Sequence, residues 1–181
     1  MKFGYDKVKG AVTAPQNTLH WMMTFTSPPA GLNFGENMSI LCDTATTPNP
    51  EVEHLQIQLQ GQTLNFPGRI NRSGTITLTF IQPEKDQEAI DLIYQWLNIY
   101  WENAGQMQGN TLKAPKELYA TVKLSLYDAT GQVETRAFEL IDCLPQLENG
   151  AELGQEAAAM KPQLTLTYNN FHYYVKGKKV F

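Results

Sequence analysis

The chain has 181 residues, 42% of them hydrophobic, which suits one globular domain with a sizeable core. Its net charge of −4 and pI of about 5.4 argue against a protein that grips nucleic acid through a broad basic face, though not against a surface that nucleic acid passes over. Two cysteines, Cys42 and Cys143, are too few for a disulfide scaffold and read as buried thiols, with a bridge between them left open.

In chain order, residues 1–16 lack a clear period and read as an N-terminal extension that is ordered only where it docks. No apolar run follows Lys2, so no secretory signal is expected, and no window approaches the ~18 apolar residues of a membrane span. Leu19 to Thr26 is a strand candidate closed by Pro28 and Pro29, and Met38 to Asp43 is a second, shorter one. Val52 to Gln60 alternates cleanly, with Leu55, Ile57 and Leu59 on one side and Gln56, Gln58 and Gln60 on the other. Leu64 and Phe66 continue the apolar side until Pro67 and Gly68 break the run. Asn71 to Gly74 reads as a turn, and Thr75 to Ile81 as a strand with Ile76, Leu78 and Phe80 inward.

A single helix is expected from about Asp86 to Asn103, with acids in its first turn and Gly105 after its end. Laid out at 100° per residue, Ile90, Ile93, Tyr94, Leu97, Tyr100 and Trp101 form one stripe, and Leu92, Trp96 and Ile99 widen it to an arc of about 220°. A monomer's surface helix needs roughly 100° or somewhat more, so either loops bury the excess or a second subunit does. Ile93, Leu97 and Trp101 are therefore assigned to the core, and Leu92, Trp96 and Ile99 to contacts with another subunit. A polar loop spans 104–117. Tyr119 to Tyr127 and Gln132 to Ile141 form a hairpin turned at Asp128 to Gly131. Leu144 and Pro145 open a loop, Gln155 to Met160 suits one helical turn, and Gln163 to Val175 reads as one long last strand. Residues 176–181 form a short basic tail.

No catalytic, cofactor-binding or metal-ligating set emerges. His20, His54 and His172 are far apart and lack zinc-site spacing. Phosphate-binding glycine loops and a nucleophile elbow are absent from the sequence. Asp128, Asp142 and the acids of 148–156 fall in turns, where carboxylates are ordinary. The aromatics of 168–174 read as strand core or interface rather than as a stacking platform for bases. The expectation is a non-enzyme, with no cofactor.

Four segments, taken in order, carry a family resemblance: Gly61 to Arg69 followed by Thr75 to Phe80; the helix ending Gln95 to Asn98; Phe138 to Pro145; and Pro162 to Tyr168 with Tyr173 and Tyr174 beyond. Together they span residues 17–174. The chain resembles the tail tube proteins of contractile-tailed bacteriophages, which are related to those of type VI secretion systems and R-type pyocins.

The resemblance implies an α+β, mostly β fold: an antiparallel β-sandwich or barrel with one flanking aromatic-rich helix, as a single domain over 17–175. It implies hexameric rings, stacked into a hollow tube, with strands closing one barrel across subunits. Closure would remove the sheet edges that otherwise need guarding charges. Tail sheath, baseplate and tail terminator proteins become the implied partners, with transient, non-adhesive passage of double-stranded DNA and no membrane insertion. The implied location is the virion tail, after assembly in the host cytoplasm. Gln56, Gln58, Thr77, Thr79, Thr121 and Ser125 are the candidates to face the channel. Lys123 shares a face with two of them, so it must pair with an acid such as Glu134 or Glu139, or that face is not luminal. A tube subunit of a type VI-like machine, a tube-initiating or terminating ring, and a monomeric β-sandwich binding module are the rival expectations.

Overall fold

In a computed structural model, residues 20–29, 31–34, 41–81, 88–105, 115–149 and 161–180 are described, without the side chains of 88, 89, 100–105, 115, 116 and 147–149. The N-terminal extension, Met38 to Ile40, most of the polar loop, the helical turn at Gln155 to Met160 and the side chains of Tyr100 and Trp101 lie outside them.

Among the described residues, the strands and helices follow in order as β1 (Trp21–Ser27), β2 (Cys42–Ala45), β3 (Glu51–Leu59), β4 (Gln62–Asn71), β5 (Gly74–Phe80), α1 (Glu88–Gly105), α2 (Pro115–Leu118), β6 (Ala120–Tyr127), β7 (Glu134–Asn149), β8 (Gln163–Tyr168), β9 (Asn170–Val175) and β10 (Lys178–Lys179). One antiparallel eight-stranded sheet runs β1-β6-β7-β8-β5-β2, with β9 on β7 and β10 on β9; β3 and β4 pair only with each other. The strand path is open within one chain.

The sheet bends because β7 serves two layers. Its first part, Arg136 to Ile141, pairs with β6 and β9, and its second, from Leu144, pairs with β8. Asp142 between them has a left-handed φ of 56°. The partner chain breaks at the same level: Asn169 separates β8 from β9, and its N–H donates to Ile141 O. Bends of this kind let strands change sheets at a corner. Layer one is thus β1, β6, the first part of β7, β9 and β10; layer two is the second part of β7, β8, β5 and β2.

Both layers turn alternate apolar residues into one core. Met23, Val122, Leu124, Leu140 and Phe171 meet Ile76, Leu78, Phe80, Leu164 and Leu166. Three expectations change here. Leu144 and Pro145 lie inside β7: from Leu144 on, β7 pairs with β8 and no other described strand, so Pro145, opposite Leu166, sits on a sheet edge, where proline is tolerated. The last strand is two strands in different layers. The basic end folds back as β10 through a turn at Lys176 and Gly177, with φ of 48° and 74°.

Candidate assembly interface

Beyond Ala45 and Leu78 the β2–β5 hairpin continues as a second ladder, β3–β4, which leaves the body as an arm. The expected break at Pro67 and Gly68 is instead a bulge within β4, where the register shifts between Val52 and His54. Gly68 is required there, since a Cβ would lie 2.7 Å from Glu53 O. The chain reverses at Gln60 and Gly61, whose φ of 48° and 78° fit a two-residue hairpin turn. Leu64 and Phe66 therefore lie across from Ile57 and Leu55 rather than prolonging their strand.

Every residue from Glu51 to Arg72 is exposed. Leu55–Phe66 and Ile57–Leu64 pair on one side, with Leu55 60% and Phe66 46% exposed; Gln56–Asn65 and Gln58–Thr63 pair on the other. From Leu55 to Phe66 the arm carries no ionisable residue. Seven large apolar side chains of the arm face solvent. A two-stranded hairpin is marginal alone in water, so this one calls for a partner.

The outer faces of the two layers differ in charge. On layer one, Thr24, Lys123, Glu139 and His172 form one cross-strand row, and Met22, Ser125, Ala137, Tyr174 and Lys179 the next. Lys123 Nζ lies 2.8 Å from Glu134 Oε2, and Ser125 Oγ donates to the same oxygen at 2.8 Å. Burial works to raise the Glu134 pKa, but these hydrogen bonds and the lysine charge outweigh it and leave the carboxyl below its ordinary value. Tyr174 donates to Glu139 at 2.8 Å, which pushes its phenol up, and His172 Nδ1 lies 3.5 Å from the same carboxylate.

Layer two presents uncharged rows: Thr75, Thr167 and Leu144; Thr77, Thr165 and Gln146; Thr44, Thr79 and Gln163. The Thr77 and Thr165 hydroxyls are 3.4 Å apart, and Thr165 is 3% exposed. The charged pair nearby, Lys161 and Asp43, is internally neutralised at 2.7 Å.

These facts divide the channel candidates among three surfaces. Gln56 and Gln58 are on the arm, Thr77 and Thr79 on layer two, Thr121 and Ser125 on layer one. Ser125 is 3% exposed with its hydroxyl committed to Glu134, so it serves the chain internally. Lys123 takes the acid partner that its position required.

Trp96 is corrected. It is 1% exposed, packs edge-on against Phe25 and Phe34, and donates from Nε1 to Leu118 O at 3.1 Å. A wide apolar arc leaves its buried side open, and the stacked Phe25–Phe34 pair draws the Trp96 flank inward. Ile93 is buried, while Leu92 and Leu97 are half-buried against the core and Ile99 is half-buried. Tyr94 faces solvent, a position that stripe membership had hidden.

Among the described residues no His, Cys, Asp or Glu cluster suits a metal ion, and no helix is long and apolar enough to cross a membrane. Cys42 and Cys143 are free, buried thiols whose pKa burial pushes up to about 12.

Residues 10–174 match the phage tail tube protein family. The chain belongs to that family. It is a structural protein of the tail-tube type, not an enzyme. No curated protein sequence matches it. Solved structures share its fold at low identity. The anti-feeding prophage tube-terminating cap aligns with a TM-score of 0.63 at 14% identity, covering 91% of this chain and 93% of the other. A chain of the sheath–tube complex of an extracellular contractile injection system gives 0.61 at 12%, covering 96% and 99%. A chain of the anti-feeding prophage baseplate, 6-fold symmetrised, gives 0.58 at 12%, covering 92% and 100%.

Proposed function

We propose that this tail tube family member is the repeating subunit of a hollow tube in a contractile apparatus, six copies to a ring and rings stacked, with the sheath outside and baseplate and terminator at the ends. The arm carries this reading. Burying an exposed large apolar side chain contributes about 1.5–3 kcal/mol, and each arm offers several to a second copy. Six copies agree with the six-fold baseplate that holds a chain of this fold. The cargo is double-stranded DNA, which passes an acidic ring without adhering, as the tail component of a virion assembled in the host cytoplasm.

Negative-stain microscopy and analytical ultracentrifugation of the purified chain test it. Rings or short tubes are expected. The double variant Leu55→Ser/Phe66→Ser should remain a folded monomer. A wild-type monomer that persists at high concentration, with no rings in micrographs, would overturn the proposal.

A terminating ring is the second reading, favoured by the cap that shares this fold. Single rings that never lengthen, whatever the concentration, would select it.

A further inference from the structure

We infer that the threonine face of layer two, not the charged face of layer one, forms the channel wall; this rests on the ring-and-tube reading above. The two outer faces point away from a common core, so one ring cannot line its channel with both. Layer one bears Lys179, Glu139 and His172 in its cross-strand rows, beside a Lys123 already neutralised by Glu134, and the exposed Lys179 is the cation that a passing polyanion would meet. Fixed cations on a channel wall release counterions from a passing polyanion and hold it. The Thr75, Thr77 and Thr79 rows of layer two hold no ionisable group.

Continuity of the chain points the same way. The arm is the outward extension of β2 and β5, and Thr46 N donates to Thr77 O where the two ladders approach. A stacked ring touched by the arm therefore meets the same uncharged hairpin that supplies the layer-two face. The resulting wall is hydroxyl- and amide-lined, and it holds neither a polyanion nor a folded protein by charge.

Single cysteines on the two faces test the assignment. Thr75→Cys and Met22→Cys replace residues exposed in the free chain, and Thr79→Cys is the substitute should Thr75→Cys fail to fold. The native thiols are buried and stay silent. Each variant is labelled, before and after assembly, with N-ethylmaleimide and with a maleimide carried on a globular protein. On assembly, Thr75→Cys should keep its reaction with the small reagent and slow by at least an order of magnitude with the large one. Met22→Cys should react with both. Protection at Met22→Cys instead, equal labelling at both sites, or loss of the small reagent's reaction at Thr75→Cys would overturn the assignment. Micrographs of the wild-type chain taken first separate the two levels: an absence of rings removes the ring reading, and the wall with it.

Discussion

At Glu134 one carboxylate oxygen satisfies both Lys123 and Ser125. Its pKa is lower folded than unfolded, so its contribution is complete above the ordinary glutamate value and is lost as pH falls through the folded value. Asp128 shifts the same way, chiefly through the Thr130 hydroxyl, and it shares that sign. Chemical unfolding should therefore show stability falling as pH drops below the ordinary carboxylate range, with a shallower fall in Glu134→Gln. Near neutral pH the variant should lose about 1 kcal/mol, since the pair is partly screened by water. A second residue-scale test is Gly74. A Cβ there would sit 2.7 Å from the Tyr168 hydroxyl oxygen, and Tyr168 is fully buried. Gly74→Ala should cost about 1–3 kcal/mol by overpacking, measurable in the same unfolding experiment.

At the scale of elements, the proposed function divides folding from assembly between α1 and the arm. Trp96→Ala should lower stability by about 3–5 kcal/mol, because it empties the site between Phe25, Phe34 and Leu118. Leu55→Ser/Phe66→Ser should leave the monomer's melting temperature nearly unchanged while abolishing higher-order species in sedimentation. Equal melting losses in the two variants would contradict this division. Much of the pattern was legible beforehand: Ile76, Leu78 and Phe80 announce an inward face by alternation alone, and Leu55, Ile57 and Leu59 announce an apolar arm side. Its outward use was not legible, because alternation marks a face without saying what covers it. Gln60 concealed the reversal, being an uncommon residue at a positive φ. The break at Asn169 was hidden because β8 and β9 are both strand-like, and only their partners separate them. The buried side of α1 was set by partners distant in sequence, Phe25 and Phe34, which helical periodicity does not contain.

Over the whole molecule, net charge and its placement govern what passes. Six copies at −4 would give about −24 per ring, a field that repels a polyanion. Wild-type rings should therefore retain no double-stranded DNA in a low-salt filter assay, whereas Thr77→Lys rings should retain it and release it as salt rises. DNA bound by wild-type rings would refute the non-adhesive conduit. The arm also has a consequence before any ring exists. Leu55 to Phe66 is a charge-free, apolar-alternating hairpin held out in water, with the composition of segments that pair indiscriminately with other chains. A pool of idle subunits is thus a hazard to itself, growing with concentration. On the ring-and-tube reading, supply of the chain must be matched to the growing end that consumes it, and overproduction without such an end should give tangled aggregates whose formation Leu55→Ser/Phe66→Ser suppresses.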